Sequence, residues 1–235
     1  EGGTLNVETD VHTPTRIQVY HTVGVTGGHS LPARAILDFN NKETNLVSKA
    51  SGTEADPDDL GALALYMDQA PEVNFRNEKT TMTAIVSGYS KAATAVINVS
   101  PGMLNMYSKD VTLRLQDDSV ANRSSGETIR IQGDWQSPVP EAPYGMTIHE
   151  ADNFRIQYEA NHNTDLAAGL YMIGQGNFTA KEAVKNLEIE TIYHGNGNEN
   201  ATVEAVSVWD NSHAHINAKN TTIKVTSTDP DATMV

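Results

Sequence analysis

Short apolar-x-apolar pairs recur along this chain in a fixed order, three to a set, and that recurrence limits the fold more than any single motif does. Between Leu65 and Val86 the pairs are Leu65/Met67, Val73/Phe75 and Met82/Ala84, followed by a polar loop at Gly88. Between Ile97 and Leu115 they are Ile97/Val99, Leu104/Met106 and Val111/Leu113, with Lys109 in the place of Lys79. Later sets are Leu170/Met172, Phe178/Ala180 and Leu187/Ile189, then Val206/Val208, Ile216/Ala218 and Ile223/Val225, with Lys181 and Lys219 after the second pairs. The spacing of roughly 30 residues is that of solenoid coils.

Side chains alternate with a period of two along a strand, so each pair is one short strand with both apolar residues on one face. Three strands make a coil whose apolar residues point inward. One coil cannot bury that face alone, so coils stack roughly 4.8 Å apart and pair their strands in parallel. Helical periodicity is nearly absent, with short candidates only at Asp59–Met67 and Ala180–Leu187. The reading is therefore all-β, a parallel β-helix of three-stranded coils, with residues 1–235 a single continuous segment of a longer stack. The chain opens with Leu5/Val7 and Ile17/Val19, which read as second and third pairs, and Ala35/Leu37 reads as a first pair. Met146/Ile148 and Phe154/Ile156 have no clear third pair after them, and Ser137-Pro138-Val139-Pro140 cannot run through a central ladder. Residues 116–145 are accordingly expected to protrude as a loop region. The polar segments that follow third strands would project from one edge of the rod, where insertions map in repeat proteins.

Thirty acidic against 16 basic residues give a formal net charge of −14, which argues against phosphate backbones and anionic lipid as partners. No apolar run is long enough to span a bilayer as a helix, and no signal-peptide pattern opens the chain. With no cysteine, disulfides, cysteine zinc sites and thiol catalysis are excluded.

The run Val206-Ser-Val-Trp-Asp-Asn-Ser-His-Ala-His-Ile-Asn-Ala-Lys-Asn-Thr-Thr-Ile-Lys-Val225, with its cousins at Ala95–Leu115 and Gly169–Ile189, resembles the coil repeat of right-handed β-helix passenger domains of bacterial autotransporters. It is especially similar to the large adhesin-like passengers of Gram-negative Firmicutes. The resemblance implies a right-handed helix, an extracellular location at the cell surface, and type V export through an outer-membrane β-barrel that lies outside this sequence. It also implies adhesion or biofilm formation, with host-cell or bacterial surface proteins or glycans as partners, and no catalysis. β-Helical repeats also occur in polysaccharide lyases and hydrolases and in phage tailspikes, so a polysaccharide-processing enzyme or tailspike fragment is the alternative.

Exposed aromatics supply contact area at small entropic cost, which makes Trp135, Tyr144 and Tyr89, with Trp209, the candidate ligand contacts. Asp56, Asp58 and Asp59 share one loop, and Asp229 and Asp231 lie at the equivalent place in another; both sets offer oxygen ligands for Ca²⁺, and solvated acidic turns account for the same residues. His213 and His215 alternate on one strand face beside Trp209 and Asp210, and His149, Glu150 and Asp152 form a second polar cluster. Asp110, Asp117 and Asp118 with Arg114 are the one local set with the makings of acid–base chemistry.

Overall fold

The computed structural model describes residues 3–12, 20–26, 35–53, 62–89, 93–99, 102–120, 123–133, 144–195, 197 and 200–235. These residues form strands and turns with no helix, in three sheets whose strand pairs are all parallel. Sheet A contains β1 (Thr4–His12), β4 (Glu43–Gly52), β7 (Lys79–Gly88), β10 (Asp110–Ser119), β13 (Ala151–Ala160), β16 (Val184–Tyr193) and β19 (Asn220–Ser227). Sheet B contains β2 (Tyr20–Thr26), β5 (Ala62–Asp68), β8 (Ala93–Val99), β11 (Arg123–Gln132), β14 (Thr164–Ile173), β17 (Thr202–Val208) and β20 (Thr233–Met234). The shorter strands of sheet C are β3 (Ile36–Phe39), β6 (Glu72–Phe75), β9 (Met103–Met106), β12 (Gly145–Ile148), β15 (Asn177–Ala180) and β18 (His213–Ile216). The chain visits A, B and C in rotation, and each strand pairs with the strand three places later. That is a three-sheet parallel β-solenoid on the order of 30 Å long, at roughly 4.8 Å per coil.

Inward columns carry the packing. Leu46, Met82, Leu113, Ile156 and Ile189 share one register position of sheet A, all with no exposed surface. In sheet C the rings of Phe39 and Phe75 stack at 4.5 Å and 8° between their planes. Deleting such a ring leaves a void that the stacked neighbours cannot collapse into. Phe75→Ala is therefore expected to cost about 3–5 kcal/mol by chemical denaturation.

Sheet B departs from simple alternation. Ala64 and Leu65, Ala95 and Val96, and Thr128 and Ile129 are consecutive buried residues, so each strand bends there and two neighbours both turn inward. Past the bend the alternation resumes one residue later. That bend explains a register error in the sequence reading. Ile97 and Val99 face outward and are half-buried, whereas Val96 and Asn98 are the buried pair, aligned with Leu65 and Met67. Asn98 hides the pattern because a polar residue occupies an inward position; its amide donates to the carbonyls of Gly145 (2.9 Å) and Gly102 (3.3 Å).

Other assignments move as well. Leu5 and Val7 lie in β1 of sheet A, a third-strand position rather than a second, and Ile17 and Val19 lie outside the described residues. The pair read as Ala35/Leu37 is Leu37/Phe39, in sheet C. The span 116–145 is not one protruding region: β10 continues to Ser119, and β11 places Ile129 and Ile131 in the core. The set containing Met146/Ile148 and Phe154/Ile156 is thus completed by a pair that precedes it. Coil length varies with the connections, from 31 residues between register partners Lys79 and Asp110 to 43 between Asp110 and Asn153.

Connections are unequal around the coil. From C to A they never exceed three residues, as in 40–42 and 107–109. The longer ones, such as 53–61 and 194–201 from A to B and 27–35 and 133–144 from B to C, all adjoin sheet B. The expectation of long connections on one edge is therefore corrected: strands of sheet B begin and end at them on both edges.

Candidate functional site

The outer face of sheet A is polar, and its side chains satisfy one another across coils. Asn153 donates to Asp110 (2.7 Å), Asn186 to Asn153 (3.1 Å) and Asn220 to Asn186 (3.0 Å), forming a ladder at the starts of the strands. Arg155 pairs with Glu188 (2.8 Å), Arg114 with Glu159 (3.0 Å), Lys224 with Glu190 (2.6 Å) and Lys49 with Glu8. A depression of about 250 Å³ lies over Asp110, Thr112, Asn153, Arg155, Asn186 and Glu188, but these polar groups already bond within the ladders.

At the C-to-A turns a second cross-coil stack forms. The Arg76 guanidinium lies 4.1 Å above the Tyr107 ring, and Tyr107 stacks on His149 at 4.2 Å. His149 Nε2 is 3.0 Å from the Asn105 side-chain oxygen, which only accepts, so Nε2 carries the proton and Nδ1 accepts from the Lys181 ammonium at 3.0 Å. Burial, then Lys181, then Arg76 lower the His149 pKa from 6.5 to about 4. A histidine held neutral contributes stability that is present above its unfolded pKa of 6.5 and is lost as pH falls toward about 4. We expect wild type to lose on the order of 1 kcal/mol across that window, after allowing for solvent screening, and His149→Gln to lose less. Urea midpoints at pH 7 and pH 4.5 test this. The neighbouring Asp152, grouped with His149 in the sequence, instead pairs with Lys185 at 2.6 Å.

Sheet B presents a different surface. Its outward positions fall into three columns along the rod. Leu63, Thr94, Glu127, Ala168 and Glu204 make the first; all but Glu204 are buried. Tyr66, Ile97, Arg130, Tyr171 and Ser207 make the second, the first four half-buried. Asp68, Val99, Gln132 and Ile173 make the third, which leads to Trp209 one residue beyond β17. Aromatic and aliphatic side chains thus recur along the second and third columns, whereas the described outward positions on sheet A carry no aromatic residue and are Thr, Asn, Gln, Ser and charged residues with the aliphatics Val47, Ile85 and Ile192 among them.

Buried charge underlies the stripe. Glu127 is 2% exposed; it accepts from Thr94 Oγ1 at 3.1 Å and lies 3.8 Å from Arg130, whose guanidinium stands 5.6 Å over the Tyr171 ring. One Glu204 carboxylate oxygen is shielded from solvent and takes no hydrogen bond. Burial raises the Tyr171 pKa; Arg130 opposes this and the Glu127, Asp210 and Glu204 carboxylates add to it. Tyr66 is raised by burial first and by Asp68 second.

The aromatics singled out in the sequence lie around this face. Trp209 is 54% exposed and its indole N–H donates to Ser207 Oγ at 2.7 Å. It precedes a turn in which Asp210 and Asn211 both have positive φ (51° and 58°), repeating the turn at Gly174–Gln175 one coil earlier. Tyr89, half-buried, follows β7 at the A-to-B edge and is held by its N–H to Gly52 O (3.0 Å). Tyr144, also half-buried, precedes β12 at the B-to-C edge. Trp135 lies outside the described residues, as do Asp56, Asp58 and Asp59. The floor residues Tyr66 and Tyr171 went unread, although each is the middle residue of a Leu-Tyr-Met triplet, Leu65–Met67 and Leu170–Met172.

The set proposed for acid–base chemistry is dispersed. Asp117 points into the lumen with no exposed surface, Asp118 bonds to Asn161 (2.6 Å) and Gln116 (2.6 Å), Arg114 holds Glu159, and Asp110 stands at the far end of the strand. At the C-terminal loop the Asp229 carboxylate accepts from the Asp231 N–H at 3.0 Å, closing a local turn. His213 and His215 stack at 6.2 Å on the exposed strand β18. Among the described residues no three His, Asp or Glu side chains gather closely enough to hold a metal ion.

Among the described residues, fold and face together define a parallel β-solenoid with outward aromatics along sheet B. Comparison with protein-family models, curated proteins and solved structures gives no match.

Proposed function

We propose that this chain is a binding segment of a surface-displayed extracellular adhesin, in which the stacked coils act as a rod and the outer face of sheet B, with the connections beside it, is the recognition surface. The resemblance of its coils to autotransporter passengers supplies the setting: export by type V secretion, anchorage through a separate outer-membrane β-barrel, and host, bacterial or matrix ligands. The observation that carries the reading is the asymmetry between outer faces. Both faces carry half-buried aliphatics, but sheet A consumes its polar groups in cross-coil ladders and has no outward aromatic among the described residues, whereas sheet B presents Tyr66 and Tyr171 in one column and leads to the exposed Trp209. Aromatic side chains in such a stripe give contact area with little rotamer entropy to lose.

The labelled chain is expected to bind saturably to at least one of a panel of bacterial cells, host epithelial cells, matrix proteins and glycans. Tyr66→Ala/Tyr171→Ala should lower that affinity at least tenfold, while the thermal midpoint moves by only a few degrees because both rings are half-exposed. Binding that ignores the double substitution would remove the face from the account. Release of shorter saccharides during incubation would favour the polysaccharide-processing reading instead.

A further inference from the structure

The stripe on sheet B contains an outward tyrosine twice. Tyr66 has Asp68 two residues on, both facing outward past an inward Met67. Tyr171 has Ile173 at that position; its register partner is Ser207, and the turn that follows β17 brings in Asp210, whose backbone carbonyl accepts from the Gln175 N–H at 2.9 Å. The two tyrosines share one register column, linked through Ile97 and Arg130. Three coil steps separate them, about 14 Å along the rod.

Charge narrows what can lie there. Among the described side chains of these columns Arg130 is the one cation, and it sits beside the buried Glu127, so the pair is close to neutral. Asp68, Asp210 and the unbonded oxygen of Glu204 remain. With a chain charge of −14 behind them, they set a negative potential along the stripe. Uronate, sulfate and sialate groups are repelled, whereas hydroxyl and ammonium donors are attracted. An ammonium over a tyrosine face gains cation–π attraction in addition.

Topology narrows it further. Extended peptides that bind sheets add a strand to a free edge, where main-chain hydrogen bonds supply affinity. Strands β5, β8, β11 and β14 are paired on both sides, so this face offers only side chains. Rings and carboxylates without backbone partners suit flat, hydroxyl-rich pyranose rings.

Building on the adhesin reading, we infer that the face of sheet B binds an amine-bearing polysaccharide laid along the rod axis, with Tyr66/Asp68 as the primary subsite that stacks one sugar ring and pairs with its ammonium, and Tyr171/Asp210, whose ring already has Arg130 beside it, as a secondary one. Glycans rich in free glucosamine have this chemistry. The spacing requires an oligomer long enough to reach both subsites, so affinity should rise steeply once chain length allows double engagement.

Calorimetry of the whole chain with a glucosamine hexasaccharide, its fully N-acetylated counterpart, a galacturonate hexasaccharide and an oligolysine of equal charge tests this. The glucosamine hexamer is expected to bind at least tenfold more tightly than the acetylated one, galacturonate not at all, and oligolysine far more weakly. Asp68→Asn/Asp210→Asn should reduce the glucosamine affinity to the acetylated level; asparagine tolerates the left-handed backbone at position 210, so the turn is kept. Equal binding of the acetylated hexamer, lost in Tyr66→Ala/Tyr171→Ala, would overturn the amine assignment and leave the recognition face standing. Oligolysine binding as tightly as the glucosamine hexamer, or no loss in the aspartate variant, would likewise overturn it. If none of the four probes binds while cells still bind through the tyrosines, the inference fails and the adhesin reading survives.

Discussion

Gly133→Ala is expected to be among the most damaging single substitutions in this protein, lowering stability by more than about 3 kcal/mol and the thermal midpoint by roughly 6–12 °C. A Cβ there would stand 1.4 Å from the carbonyl oxygen of Gly174 and 2.5 Å from its carbon, both backbone atoms of the next coil. No rotamer change relieves a clash between two main chains. Coils are held at their spacing by the ladder between β11 and β14, which ends beside this contact with the Gly133 N–H bonded to Ile173 O at 2.8 Å. Relief therefore means breaking that ladder. Gly3→Ala provides the control, since nothing lies within 4 Å of the added carbon, and its midpoint should be unchanged. A well-folded Gly133→Ala with a wild-type melt would mean that the coils are not in contact there.

The second large effect lies inside the lumen. Asp117 occupies an inward column of sheet A, aligned with Val86 on one side and Ala160 on the other, where the pattern calls for an apolar residue. His162 Nε2 stands 2.7 Å from its carboxylate, Tyr158 donates its hydroxyl at 3.2 Å, and the Ser119 N–H donates at 3.3 Å. Gly126 makes room for that tyrosine, because a Cβ at 126 would fall 2.2 Å from its hydroxyl. Asp117→Ala leaves a buried imidazole and phenol without their acceptor and should cost about 3–5 kcal/mol by urea denaturation. Removing the partner too, as Asp117→Leu/His162→Leu, should recover most of the loss, because buried polar clusters seldom outperform apolar packing of similar volume. Asp152→Ala, which breaks the solvent-exposed pair with Lys185, should leave the urea midpoint almost unchanged. Were Asp117→Ala no worse than Asp152→Ala, the lumen cluster would not be packed as described.

Where the sequence spoke clearly, it did so through paired apolar residues separated by one position. Leu65/Met67, Leu104/Met106 and Phe178/Ala180 are legible because both inward positions of each pair hold apolar residues. The reading faltered at three kinds of place. A polar residue facing inward, as at Asn98 and Asp117, cannot be told from an outward one by alternation; its hydrogen-bond partners lie 2 to 47 residues away. The bend in sheet B puts two neighbours inward, so a strict period of two slips by one after it, which is how Ile97/Val99 displaced Val96/Asn98. The recurring lysine also proved not to be a column. Lys109 stands over Glu78 at 4.0 Å, while Asp110 aligns with Lys79, and Lys181 belongs to the stack of Tyr107 and His149.

Legibility of the site followed the same logic. Trp209, Tyr89 and Tyr144 were visible as aromatics in polar segments, and they border sheet B. Tyr66 and Tyr171 were hidden in plain alternation as the middle residues of inward pairs. Only the register from β5 to β14 brings them into one column with Arg130 between. In a solenoid the position between two core residues faces solvent, so a large aromatic at that position in two coils is the signal to seek.

The chain has no cysteine, so a single introduced thiol can carry a bulky label to one face at a time. Ile97→Cys, Thr112→Cys and Thr147→Cys place it on the outer faces of sheets B, A and C, all at half-buried outward positions. After attachment of a polyethylene glycol maleimide, binding to cells or glycan should be lost for the label at 97 and kept for those at 112 and 147. Blockade from sheet A or C, with binding intact at 97, would contradict the assignment of recognition to sheet B.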